Sequence, residues 1–280
     1  MMPNRDMVTV DGPSVPAVVR LDDEPIHDLA HPSLRRYFPS PEPGSQRRSE
    51  VYEVIGQRIC AGLLLPGTVL NMDELATRFG VSRPVVREAC GALSSLGLVV
   101  SRRRVGTVVQ PPENWELFSV DIIRWRLNSP GRAAQVLELA ELRSSIEPAA
   151  AELAALRATE PERAAIGACL EVLLTAGRSG DIPGFHEADK QFHTLVMTSG
   201  HNRMFGQMHR VVEGLLESRY RQGLMPSEVA QWALRWHEQL GLAVVAGDTV
   251  AAIASARSIV AASAQEMLEL AKLPAPDLPG

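Results

Sequence analysis

Two pairs of residues, far apart in a chain of 280, have the type and spacing to do chemistry. Arg83 and Arg87 stand four apart in "GVSRPVVREACGAL". On a helix they would share one face, and a guanidinium fork matches the O6/N7 edge of guanine or a phosphate. Asp189 and His193 stand four apart in "EADKQFHTLVMTSGHN". A carboxylate oxygen and an imidazole nitrogen projecting from one helix face can share a divalent cation. Standing alone, paired charges more often form a solvated face, and an Asp/His pair more often makes a helix-surface hydrogen bond. The elements around each pair decide.

Around the arginines, Val51, Val54, Ile55, Ile59 and Leu63 recur at three- and four-residue steps from Ser49, the stripe of an amphipathic helix. Pro66-Gly67 breaks the chain. A short helix follows, turning Leu75, Ala76 and Phe79 inward and ending at Gly80. Ser82 sits at an N-cap position, and Val85, Val86, Ala89, Leu93 and Leu96 give the next helix its buried face before Gly97 closes it. Two short helices across a tight glycine turn form a helix-turn-helix. "LVVSRRRVGTVVQ" then reads as a β-hairpin whose basic turn is a wing. The start of the third helix would project into a major groove, which places Arg83 and Arg87 on DNA.

Charge follows this division. Residues 1–44 carry a net −3, residues 45–110 nine basic against five acidic residues for a net +4, and residues 111–280 a net −6. A local basic patch, not the overall −5, is the electrostatic signal for DNA. No apolar run is long enough to span a bilayer, and no secretory signal is expected. Cys60, Cys90 and Cys169 are read as buried thiols of a cytoplasmic protein, neither disulfide set nor zinc site. The proline-rich residues 1–44 read as a disordered arm, in which Arg35 and Arg36 are more readily solvated than bound to DNA. Residues 111–132 read as a linker with one short helix through Ile122, Ile123 and Trp125. Residues 133–273 read as an all-α bundle of about six helices, separated near Thr159, Gly180, Gly200, Pro226 and Gly247, with a tail at 274–280. The fold class expected is mainly α: a winged helix-turn-helix, then a helical bundle.

The stretch "LLPGTVLNMDELATRFGVSRPVVREACGALSSLGLV" closely resembles the winged-helix domain of the GntR superfamily of bacterial transcription regulators. The resemblance implies DNA contacts by Ser82, Arg83, Pro84 and Arg87, with Arg103, Arg104, Gly106 and Thr107 in the wing. One departure is Asp73, where many relatives carry a basic residue, so a phosphate contact there is in doubt. "ELRSSIEPAAAELAA" and "EADKQFHTLVMTSGHN" resemble the ligand-binding (FCD) domain of the fatty-acid-regulator-like branch. "NWELFSVDIIRW" with "ELRSSIEP" looks like regulators of sugar-acid operons, the galactonate type among them. That branch implies a metal site of Asp189, His193 and a His on each of two later helices. His237 fits the first; the second slot falls on Ile259, which cannot ligate. The site, for a zinc-, nickel- or manganese-type ion, lacks one ligand, for which His186 is a candidate substitute.

Arg143, at the branch's E-x-R position, either holds an acidic ligand's carboxylate or makes a structural ion pair. Asn202 and Arg219 are further effector-pocket candidates, Glu147-Pro148 reads as structural, and Trp232 and Trp236 as packing. Three functions follow. The first is a dimeric regulator, a repressor, of double-stranded operator DNA, controlled by a small carboxylate effector. The second is a metal-free regulator sensing an acyl thioester or other apolar acid. The third, a metal-dependent hydrolase using Asp189, His193 and His237, finds no accompanying nucleophile or acid/base group.

Overall fold

In the computed structural model the described residues are 43–221 and 228–271. The arm and tail expectations, Arg35, Arg36 and the Pro226 break therefore lie outside them, apart from Pro43 and Gly44, which already belong to the first helix. The chain divides into two compact units between Trp115 and Glu116. The first is a winged helix-turn-helix and the second an all-α bundle, the fold class read from the sequence.

In the first unit, α1 (Pro43–Cys60) packs Val51, Ile55 and Ile59 inward. Leu63, expected to continue that stripe, is exposed, and Leu64 is buried in its place. The helix has ended at Cys60 and Gly62 takes φ 74°, so the helical phase is lost. A two-residue strand β1 (Val69–Leu70) follows, then α2 (Met72–Phe79) and α3 (Arg83–Ser95). Asn71 caps α2 by accepting from the N–H groups of Asp73 and Glu74 at 3.0 and 3.3 Å. Gly80 ends α2 in the left-handed region at φ 60°, donating to the carbonyls of Ala76 and Thr77. Val86, Ala89 and Leu93 bury one face of α3.

Strands β2 (Val99–Arg102) and β3 (Gly106–Val109) form the expected hairpin. The sequence did not reveal β1, which pairs antiparallel with β3 through Val69 and Val108, giving the order β1-β3-β2. Gly97 has φ 73°, and a Cβ there would stand 1.9 Å from the Asn114 carbonyl oxygen. Backbone conformation and close approach both demand glycine at this joint between α3 and the wing.

In the second unit, α4 (Val120–Leu127) is the helix expected within the 111–132 linker. It is no spacer: Ile122, Ile123, Trp125 and Leu127 are fully buried as it packs on α5 (Arg132–Arg157) and α8 (Arg203–Arg221). The bundle is completed by α6 (Glu160–Ser179), α7 (Ile182–Ser199), α9 (Gln231–Ala246) and α10 (Thr249–Ala271). Helix α7 lies against α5, α6 and α8, while α10 packs along α5 and α9. Of the polar residues α7 turns inward, His193 meets Glu147 of α5 and Asp189 meets His237 of α9.

Candidate functional site

Two groups of residues answer the two pairs. In the first unit, Ser82, Arg83, Pro84 and Arg87 are all exposed at the start of α3, opposite its buried face. Ser82 has the extended backbone of an N-cap, but its hydroxyl makes no capping bond. Arg103 and Arg104 are exposed in the wing turn, and at the start of β3 Gly106 is exposed and Thr107 half-buried. Arg104 occupies the left-handed region at φ 66°, unusual for a residue with a side chain, and this sharpens the turn. Asp73, at the first turn of α2, forms an ion pair with Arg83 Nε. The departure from the family's basic residue thus engages one of the two arginines.

In the second unit, Asp189 and His193 of α7 meet His237 of α9, all three buried. Asp189 Oδ1 lies 2.9 Å from His237 Nε2 and 3.5 Å from His193 Nε2, and the two Nε2 atoms are 3.4 Å apart. The opposite nitrogens are committed. His237 Nδ1 is 2.6 Å from the Ala233 carbonyl oxygen, and His193 Nδ1 is 3.2 Å from Glu147 Oε2. A neutral ring that gives its Nδ1 proton to these oxygens would leave its Nε2 lone pair facing the Asp189 carboxylate oxygen, the arrangement a metal ligand needs. Ligands held about 2.0–2.1 Å from one ion stand roughly 2.8–3.4 Å apart, close to the sides of this triangle. A ring N–H given to a carboxylate or carbonyl is also the usual orientation of a metal-binding histidine. These three residues could hold a divalent cation.

Burial works against ionisation of Asp189. The close approach and charge of His237, then His193 and Arg143, outweigh it and hold the carboxyl far below the usual carboxylate range. Burial likewise opposes the Glu147 charge, but Arg143 and His193 bring its carboxyl down to about 2. Burial would lower the His193 pKa; Glu147 and Asp189 reverse that and raise it.

The other expected residues divide. Arg143 is buried in the same cavity, with Nε paired to Glu147 Oε1 and Nη1 donating to Ser263 Oγ at 3.4 Å. The structural ion pair of the sequence alternatives is present, and it leaves Nη2 without a hydrogen-bond partner among the described residues. Arg219 also lines the cavity, its Nη2 bonded to Glu266 Oε1 at 2.7 Å. Ile259 lines it as well and supplies no ligand.

Two expectations are corrected. His186 does not stand in for the missing ligand: its Nε2 lies 3.0 Å from Glu217 Oε2 on α8, and its ring stacks on Tyr220. Three residues on a helix leave a rotation of about 60°, enough to turn His186 to α8 while Asp189 faces inward. His186, Glu187 and Glu217 could themselves chelate, but Lys190 sits 2.8 Å from Glu187 and 3.0 Å from Glu217 and occupies that place. Asn202 is no pocket residue. Its side-chain oxygen accepts from the N–H groups of Met204 and Phe205, capping α8. Glu147, Ser263 and Glu266 were missed as site residues. Glu147 had a signal, lying four residues after Arg143 on one helix face; the two on α10 had none. Burial pushes the Cys90 and Cys169 thiols up to about 11, as expected of inert core cysteines.

Known proteins supply the same division. The family of bacterial regulatory proteins called gntR matches residues 47–109, and the FCD domain matches residues 138–262. A transcriptional regulator of Mycobacterium tuberculosis is 30% identical over 81% of this chain and 92% of its own length. The chain belongs to the GntR family. The galactonate operon transcriptional repressor of Escherichia coli is 28% identical over 77% of this chain and 94% of its own length. An Escherichia coli protein named for regulating the L-lactate dehydrogenase operon is 31% identical over 67% and 71%. The solved structure of the regulator Lar from Listeria monocytogenes covers 80% of this chain and 97% of its own at 20% identity, with a TM-score of 0.57. That likeness concerns the fold. This GntR protein is a DNA-binding transcription regulator with an FCD effector-binding domain, not an enzyme. No described helix is long and apolar enough to cross a membrane.

Proposed function

We propose that this regulator is a homodimeric repressor, acting in the cytoplasm, whose hold on operator DNA is released by a small carboxylate, a sugar acid or related hydroxy acid. Each protomer would bring Ser82, Arg83, Pro84 and Arg87 to one half-site, with the wing residues Arg103, Arg104, Gly106 and Thr107 beside it. Asp189, His193 and His237 would hold a divalent ion, which supplies a positive centre for the acid's carboxylate and hydroxyl. Arg143 would bind the carboxylate through its unpaired Nη2, while Glu147 keeps His193 oriented. Effector binding would favour one placement of the paired DNA-binding domains over another, by no more than its differential affinity for the two.

The observation that carries this reading is the convergence of two imidazole Nε2 atoms and a carboxylate oxygen, with both Nδ1 atoms within hydrogen-bond distance of other oxygens. The metal-free reading has Ile259 in its favour. Calorimetry with D-galactonate and L-lactate, before and after chelator treatment, separates the two. Binding lost on chelation and restored by zinc, nickel or manganese supports the metal-assisted reading. Equal affinity in both samples overturns it.

A further inference from the structure

Two arginines reach the cavity from different helices in matching states. Arg143 of α5 pairs with Glu147 and with Ser263; Arg219 of α8 pairs with Glu266. Ser263 and Glu266 are three residues apart on α10, so the two guanidinium groups address neighbouring positions on one face of that helix. Each arginine keeps one buried nitrogen, Nη2 of Arg143 and Nε of Arg219, without a hydrogen-bond partner among the described residues. A buried donor left unmade carries a desolvation cost that an incoming acceptor removes.

The internal carboxylates differ. Glu147 has a side chain 5% exposed and is shared between Arg143 and His193, so it is locked. Glu266 is 24% exposed and lines the cavity, so once released from Arg219 it would have water to solvate it. It is the carboxylate an incoming acid can replace.

We infer that the cavity selects a dianionic acid, one carboxylate seated at Arg143 and the other taking Arg219 from Glu266. The inference rests on the effector reading above and adds the second acidic group. A monoacid satisfies one arginine and leaves the other as it was. A diacid supplies acceptors to both and frees Glu266 from α8, so the α8–α10 tie loosens only when the second carboxylate is present.

Two matched pairs of probes test this. D-galactonate and galactarate differ only in a terminal hydroxymethyl against a carboxylate; L-lactate and L-malate differ only by an added carboxylate. By calorimetry on the full chain, the diacid of at least one pair is expected to bind about tenfold or more tightly, the range of a charge-assisted hydrogen bond. Arg219→Gln should bring the diacid down to the affinity of its monoacid. Glu266→Gln, which removes the competitor without opening a hole, should tighten the diacid and so decides the matter if the Arg219 variant fails to fold. A diacid no tighter than its monoacid in both pairs, a preference surviving Arg219→Gln, or no gain in Glu266→Gln overturns the inference. Monoacids binding alone leaves the pocket reading standing; binding by none of the four overturns both.

Discussion

The candidate-site arginines of the two units live under opposite rules. Those at the start of α3 and in the wing are exposed, anchored by a buried stripe on the far side of a short helix. Those of the bundle, Arg143 and Arg219, are buried and held by internal carboxylates. An exposed guanidinium stays hydrated until DNA arrives, and displaced counterions then supply much of the affinity. A buried guanidinium must have a partner at all times, so a ligand can only exchange for one or fill an unused N–H. If the proposed roles hold, the DNA unit adds contacts and the bundle trades them.

The sharpest way to break that comparison is to remove a buried partner. Glu147→Ala strands the Arg143 charge and unties His193 together. Breaking a buried pair by deleting one side costs about 3–5 kcal/mol, and chemical denaturation should show a loss of that size. A loss below about 1 kcal/mol would mean that Arg143 is solvated and the contrast is wrong.

The exposed arginines should behave differently. Arg83→Ala and Arg87→Ala are each expected to weaken operator binding by about 1–3 kcal/mol while the melting temperature holds. Wild-type affinity for both in a gel-shift titration would remove α3 as the reading helix.

How much of this the sequence disclosed follows the same contrast. The DNA unit was legible because its signals are local: a 3.6-residue stripe, glycines that stop helices, a basic turn between β-rich runs. What it concealed, the strand β1, pairs across some forty residues, Val69 with Val108. In the bundle, the helix breaks and the cluster of Asp189, His193 and His237 could be read, but not what most other side chains would meet. His186 was misplaced by a 60° rotation, and Asn202 turned out to serve its own helix end. Glu266 is one glutamate among many until α10 is laid beside α8.

Glu217 lies between the two regimes, with a side chain 24% exposed and shared among His186, Lys190 and Arg221. Burial raises its pKa, but those three partners bring it down to about 2 from the usual 4.5. A depressed folded-state pKa contributes stability that is present above the unfolded value and lost as pH falls towards the folded one. The wild type should therefore lose stability between about pH 4.5 and pH 2 through this group. After allowing for solvent screening the loss is about 1–2 kcal/mol, and Glu217→Gln should flatten that part of the curve. An unchanged acid limb in the variant would show that the cluster does not act as a unit.

The smallest effect belongs to Asp73, an acidic residue within the basic unit. Its ion pair with Arg83 is exposed on both sides, 59% and 68%. Such a pair contributes at most about 1 kcal/mol to folding, so Asp73→Asn should leave the melting temperature nearly unchanged. DNA binding should respond more. The carboxylate opposes nearby phosphates and holds an arginine the DNA would otherwise engage freely. Removing it should raise affinity for any duplex by a few-fold and steepen the salt dependence by about one released counterion. Operator DNA and a scrambled duplex should gain together, which narrows the ratio between them. If Asp73→Asn instead weakens operator binding and leaves the scrambled duplex unaffected, Asp73 is aiming Arg83 at a base. An exposed arginine would then be under the same rule of a fixed internal partner that governs the bundle.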